Sequence, residues 1–348
     1  MKEFVGRLRL PRSRAGRLVL VLVPIAALVV LAVWRGPDPG PLERAFRRVE
    51  WEWVAAAVLI NLFSVVVRAY AWSIVIKQAI PAPWPRHRTV FSAFCIGLLG
   101  NAALPGRVGE LARVAVITRH VRRRPGTWAT IVGTVFAHRL FDVVAAVALV
   151  LLTLYIAPIP DWASPVLAVA IGVGLGLLLA GFLAARRHHR PLSEELGAFR
   201  RLLHQAQRGL TVLRRPGPAL EALAFQLVGW AAQLAAVYAS LLAFGIDASV
   251  EAAALVLVVM NVVMIFPFWP GNIGLVQAAV AAALLPYGVG YGHGIVFGIG
   301  LQAIEASVGV GLGFLFLARE GFTFAMLRRM PEVTEVDVDE DERVERIA

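Results

Sequence analysis

Apolar residues run in long blocks along the chain, separated by short polar loops. Crossing the hydrocarbon core takes ~20 mostly apolar residues, so each block of about that length predicts a transmembrane helix. These blocks are 18–34, about 53–80, 126–157, 166–185, 220–244 and 295–317. Two other apolar stretches are interrupted: 89–104 and about 111–118 flank "PGRVGE", while 250–269 and 275–285 flank "PGNIG". Pro and Gly break helices and release backbone groups that lipid cannot satisfy, so both stretches predict broken hairpins with protein or cavity water around their elbows. The expected fold is an all-α polytopic membrane protein with about six full spans and two Pro-Gly-broken hairpins. Whether 250–285 crosses fully or re-enters is left open by the pattern.

Arginine-rich loops stay in the cytoplasm, and this orients each span. The basic residues 1–17 precede the apolar run 18–34 with no small-x-small cleavage site, which predicts a retained signal anchor and a cytoplasmic N-terminus. Both flanks of the first interrupted stretch are basic, ending in "RHVRRR" at 119–124, so it re-enters from the cytoplasm. Residues 193–215 place Leu196, Phe199, Leu202, Leu203 and Leu210 among basic residues. That pattern fits an amphipathic linker helix on anionic lipid, or a solvated connector. Residues 321–348 end in the acidic "PEVTEVDVDEDERVERIA" and predict a disordered cytoplasmic tail.

The elbows repeat. "PGRVGEL" at 105–111 and "PGNIGLV" at 270–276 are offset by 270 − 105 = 165 residues, and each follows one span and precedes another. The span before the first copy runs inward and that before the second runs outward. Two halves, about 50–157 and 220–318, therefore form an inverted repeat within the membrane domain 18–320. Such repeats recur in transporters, where broken helices meet near the midplane.

Composition agrees and narrows the chemistry. The chain has 348 residues, 59% of them hydrophobic, and a mean hydropathy of +0.72. Its formal net charge of +11 comes from arginines beside the spans, where they set topology, so nucleic acid is not an expected partner. The one cysteine, Cys95, excludes internal disulfides and cysteine-based metal clusters. His188–His189 in "ARRHHRP" reads as a basic interfacial cluster or a metal fragment. His138 and Asp142 form at most half a metal site, and no cofactor is expected.

Ionised side chains at bilayer depth cost roughly 2.5–3.5 kcal/mol each on insertion scales, so they usually face a cavity or a partner. Arg107, Glu110 and Arg113 follow the first Pro-Gly break, and Glu110 and Arg113 share a helix face. Free N–H groups at that helix start favour an anion such as a lipid phosphate; an Arg–Glu pair that only locks the hairpin is the alternative. Arg139 and Asp142 are three apart in "FAHRLFDVV", Arg68 lies in the second span, and Glu305 in the last. Glu305 follows Pro270 by 35 residues and Asp142 follows Pro105 by 37, which makes them candidate symmetry partners. Asn101, Asn261, Asn272, Gln277 and Gln302 line the same cavity or bond between helices.

The set "LPGRVGELARV", "HRLFDVVAAV" and "PFWPGNIGLVQAAV" resembles the flippase-like transmembrane region of lysylphosphatidylglycerol synthases and the UPF0104 group, over about residues 50–320. The matching positions are Pro105, Gly106, Arg107, Gly109, Glu110, Arg113, Arg139, Asp142, Pro270, Gly271 and Gly274. Three depart: His138 and Gln277 stand where that family commonly has Glu, and Gln302 near where it often has Arg. These departures bear on proton coupling and head-group preference.

The resemblance implies a multi-pass protein of a bacterial or archaeal inner membrane that handles anionic or isoprenoid-linked lipids, with a lipid-synthesis enzyme as a possible partner. The full synthases continue into a soluble aminoacyl-transferase domain. This chain continues into the acidic tail, so lysyltransferase activity is not expected. The expected site joins Arg107, Glu110, Arg113, Arg139, Asp142 and Glu305, with hairpin breaks at Pro105, Gly106, Gly109, Pro270, Gly271 and Gly274. Two functions follow: translocation of an anionic lipid, or a lipid-modifying enzyme or its accessory subunit.

Overall fold

The computed structural model describes residues 49–103, 108–122, 126–158, 163–186, 207–265 and 270–320. The expected signal anchor, Pro105, Gly106 and Arg107 of the first elbow, most of the linker and the acidic tail lie outside the described residues. Among those described, the chain forms nine α-helices and no strand. They are α1 (Trp51–Ala79), α2 (His87–Ala103), α3 (Gly109–His120), α4 (Thr127–Ile156), α5 (Ala163–Arg186), α6 (Pro216–Ala243), α7 (Val250–Ile265), α8 (Leu275–Leu284) and α9 (Tyr291–Arg319). Helices α1, α4, α6 and α9 are long and apolar enough to cross a membrane. Two begin earlier than the apolar pattern suggests. Pro216 opens α6 at a position whose N–H has no helical partner in any case. Gly294 keeps the start of α9 helical because its missing Cβ lets the backbone lie against Ala281.

The repeat extends well beyond the elbows. Helices α1 and α6 start 216 − 51 = 165 residues apart, and α2–α4 correspond in order and length to α7–α9 within two residues of that offset. Helix α5 follows half one and has no counterpart among the described residues. The halves are inverted, as two contacts between α1 and α6 demonstrate. The N–H of Glu50 before α1 donates to Ala243 O at the end of α6 (2.9 Å), and Arg215 before α6 donates to Gln78 Oε1 near the end of α1 (2.9 Å). The helices therefore run antiparallel, and each contact is the 165-residue image of the other. Ser64 Oγ donates to Gly229 O (2.7 Å), again 165 residues apart. A residue that touches its own symmetry mate lies on the axis, so the pseudo-two-fold passes between Ser64 and Gly229.

Both interrupted stretches are hairpins of short helices. At 1.5 Å per residue, α2 and α3 span about 25 and 18 Å, and α7 and α8 about 24 and 15 Å, short of a ~30 Å hydrocarbon core. Residues Ala252–Met260 of α7 are all buried, so this arm is a core element surrounded by protein. Its elbow turns at Gly271 (φ 68°) and Gly274 (φ 91°), conformations that side chains with a Cβ rarely adopt. In the first hairpin, α2 and α3 touch backbone to backbone: a Cβ on Gly109 would stand 1.9 Å from Gly97 O.

Of the expected linker helix 193–215, residues 193–206 lie outside the described residues; residues 207–215 turn at Gly209–Leu210 and form a 3-10 turn over Thr211–Arg214. Gly209 lies against the Gly133 backbone, and Leu210 and Val212 bury in the protein core, which satisfies their apolar surface without lipid.

Gly109→Ala is expected to lower the thermal unfolding midpoint by the equivalent of about 1–3 kcal/mol, the usual cost of overpacking. Buried Cys95, the chain's one cysteine, serves as the reporter through its reactivity with a thiol-directed fluorophore. Gly172→Ala, with open space around it, is expected to stay within about 0.5 kcal/mol. An equal response of the two variants would show that the hairpin arms do not meet at Gly109.

Candidate functional site

The ionised residues of half one converge where the long helices are farthest from either membrane face. Asp142 and Glu305 stand at the middle of α4 and α9, Trp230 at the middle of α6, and Arg68 a turn past the middle of α1. Helical spacing explains the grouping. Arg139 and Asp142 are one turn apart on α4, Glu110 and Arg113 one turn apart on α3, and Gln226, Trp230 and Gln233 form a polar stripe on one face of α6.

Asp142 is the hub, with a side chain 9% exposed. Its Oδ1 accepts from Arg68 Nη2 (2.8 Å), Trp230 Nε1 (3.1 Å) and the Gln226 amide, and its Oδ2 accepts from Arg139 Nη1 (3.2 Å). Arg139 also donates to Glu110 Oε1, bridging α4 to the hairpin. Glu110 Oε2 lies 2.6 Å from Arg113 Nη2, an ionic contact off the line of a hydrogen bond. Arg68 continues the chain into half two: its Nη1 donates to Gln233 Oε1 (3.1 Å), and Gln233 Nε2 donates to Glu305 Oε1 (3.2 Å). Arg68 and Gln233 are again 165 residues apart, beside the axis.

Aromatic rings take up the remaining faces of the cations. The Arg113 guanidinium carbon lies 4.8 Å from the Trp72 ring centroid and 5.3 Å from that of Phe94. Arg68 lies 5.6 Å from Trp230. Desolvated contacts of this kind contribute up to about 2 kcal/mol each. Trp72 is fixed in turn by donating from Nε1 to Thr134 Oγ1 (3.2 Å). Exposure rises across the group, from Arg113 (4%) to Arg139 (39%), so Arg139 is its open edge.

Three guanidiniums face two carboxylates directly. Arg68 Nε and Arg113 Nε are buried without a hydrogen-bond partner, and so is the acceptor Gln226 Oε1. Among the described residues, no three His, Cys, Asp or Glu side chains gather as a metal site would need. The cleft lined by Ile80, Pro81, Ala82, Val121, Arg122 and Thr127 is separate, about 22 Å of helix rise from Asp142 along α4.

The structure brings together Glu110, Arg113, Arg139 and Asp142, and reaches Glu305 through Gln233. Arg107 lies outside the described residues. In the 165-residue register of the elbows Asp142 maps onto Ser307, whereas α4 and α9 start 291 − 127 = 164 residues apart, so Glu305 lies within two residues of the image of Asp142. Gln226, Trp230 and Gln233 were not singled out in the sequence, although their spacing of four and three along an apolar span was the available signal. The amides expected at the cavity mostly fix the second elbow: Gln277 donates to Gln302, Gln302 to Gly271 O, and Asn272 to Val263 O (3.0 Å). Asn261 donates to Leu257 O within its own helix (2.8 Å).

Spanning helices inverted about Ser64 and Gly229, with an ion network at their midpoints, define a polytopic inverted-repeat membrane protein. The chain belongs to the family described as the lysylphosphatidylglycerol synthase TM region, whose profile matches residues 16–330. It is similar to two UPF0104 membrane proteins of Methanothermobacter thermautotrophicus. One is 24% identical over 296 residues, covering 78% of this chain and 84% of the relative. The other is 23% identical over 284 residues, covering 74% and 82%. No solved structure matches it.

Asp142→Leu strands Arg68 and part of Arg139, and is expected to cost about 3–5 kcal/mol, the range for breaking a buried ion pair. In the double variant Arg68→Leu/Asp142→Leu, Arg139 keeps Glu110 and no unpaired Arg68 remains, so part of that loss returns. Unfolding midpoints read through Cys95 give the coupling, and strictly additive penalties would contradict the hub.

Proposed function

We propose that this protein binds the phosphate of an anionic phospholipid or isoprenoid-linked lipid at the midplane network and carries that head group across a prokaryotic inner membrane. The carrying observation is the excess of cations: three guanidiniums face two carboxylates directly, and Arg68 Nε and Arg113 Nε have no hydrogen-bond partner. A buried donor left unmet costs about 1–3 kcal/mol, more when charged. A phosphate oxygen meets guanidinium donors in pairs and adds the negative charge the group lacks. Arg139, at the open edge and shared between Glu110 and Asp142, is the cation placed to meet the head group first.

The inverted repeat supports movement as well as binding. A site beside the axis between two inverted halves is equally distant from both membrane faces, and rocking one half against the other exposes it alternately. The ends of α1, α3 and α9 and the starts of α2 and α6 carry Lys77, Arg86, Arg88, Arg119, Arg215 and Arg319, the side assigned to the cytoplasm by its basic residues.

Reconstituted in liposomes with fluorescently labelled phosphatidylglycerol, the wild-type protein is expected to speed leaflet exchange over protein-free vesicles. Arg113→Gln and Arg68→Gln are expected to reduce that rate at least tenfold, while Val169→Ala on the exposed face of α5 leaves it unchanged. Exchange indifferent to both arginines would remove the proposal, and chemical conversion of the lipid without exchange would point to an enzyme.

A further inference from the structure

His138 belongs to no bond of the network, yet it is buried at its centre. Its side chain is 1% exposed, and it lies one turn before Asp142 and next to Arg139 on α4. Neither ring nitrogen has a hydrogen-bond partner. An imidazole always presents at least one N–H donor, so this burial leaves a strong polar group unmet. Nearby side chains could have met it: Thr134 and Trp72 bond each other, and Asp142 is occupied by four other donors.

The unmet nitrogens of His138 and Arg113 share one neighbour. The Phe94 ring meets His138 edge-on, with centroids 5.8 Å apart, and lies 5.3 Å from the Arg113 guanidinium carbon. Arg113 Nε on α3 and both nitrogens of His138 on α4 thus lie about the same aromatic side chain of α2, and none of the three makes a hydrogen bond. Donors gathered beside an apolar ring without a protein acceptor of their own fit an incoming oxyanion. The other residues of the network do not share this property, because their donors are mostly committed.

We infer that His138 contacts the ligand: its ring N–H, together with Arg113, donates to a phosphate oxygen that enters beside Phe94. This rests on the proposed function in taking the ligand to carry a phosphate, which a lipid head group and free phosphate share.

The test uses the full chain in dodecyl maltoside, labelled with 15N-histidine and titrated separately with short-chain phosphatidylglycerol and with inorganic phosphate. One imidazole pair, assigned by its absence from His138→Gln, is expected to shift and saturate. A shift with phosphatidylglycerol alone identifies a lipid head-group contact; a shift with both probes identifies a general phosphate contact. His138→Phe is expected to weaken binding about tenfold, the loss typical of one hydrogen bond to a charged group, and His138→Gln to recover most of it by keeping an N–H donor. If His138→Phe does not fold, the wild-type titration and His138→Gln decide alone. Immobile His138 signals with both probes, or equal affinity in His138→Phe, would overturn the inference. Lipid exchange by the wild type with immobile His138 signals removes the role of His138 and leaves translocation standing. Shifted signals without exchange do the reverse.

Discussion

One carboxylate holds the middle of this protein together. Asp142 receives Arg68 from α1, Arg139 from its own helix, and Trp230 and Gln226 from α6, so three spanning helices meet at two oxygen atoms. The ions among these groups are costly alone at bilayer depth, where a lone Arg or Asp opposes insertion by roughly 2.5–3.5 kcal/mol. Paired and stacked on Trp72, Phe94 and Trp230, the ions fix how α1, α3, α4 and α6 pack. Hydrophobic contact cannot impose this order in lipid, because acyl chains solvate leucine as well as another helix does.

The inverted repeat gives that hub its place but not its chemistry. Backbone and register repeat at 165 residues, from the starts of α1 and α6 to the axis at Ser64 and Gly229. The charges do not repeat. Arg68 faces Gln233, and the positions matching Glu110, Arg113, Arg139 and Asp142 are Leu275, Ala278, Ile304 and Ser307. In half two the elbow is secured by neutral amides, Gln277 and Gln302, that bond each other and the Gly271 carbonyl. One half thus holds its described elbow residues through neutral amides, and the other carries the ion network.

Much of this was legible in the sequence, for identifiable reasons. Spans and hairpins followed from apolar run length and from Pro-Gly breaks, which act locally. Glu110, Arg113, Arg139 and Asp142 were visible because charge in an apolar run has few explanations. The pairing of Arg68 with Asp142 was not, since it joins α1 to α4 across 74 residues and depends on how the helices pack. The stripe Gln226, Trp230, Gln233 was hidden by its mildness: amides and an indole barely alter the hydropathy of a span. Glu305 and Asp142 differ by one residue when counted from the starts of α9 and α4 and by two when counted from the elbows, so both carboxylates stand at mid-helix without being exact images.

The two ends of the pseudo-symmetric structure are packed differently, and this bears on any motion between the halves. At the last turn of α9, Glu320 accepts from Ser92 on α2 (2.8 Å) and lies 3.4 Å from His120 of α3, with Phe316 edge-on to Phe91 and Leu317 buried. The images of Phe316, Leu317 and Glu320 on α4 are Leu151, Leu152 and Tyr155, exposed by 52%, 47% and 89%. The same fold therefore exists twice within one molecule, closed at one end and bare at the other. An arrangement that exchanged the two packings would have to part Glu320 from α2 and α3 and bring α7 over the end of α4. The first step breaks a hydrogen bond to a carboxylate, and the second covers large apolar side chains. These opposing terms act at opposite membrane faces, with Asp142 midway between them.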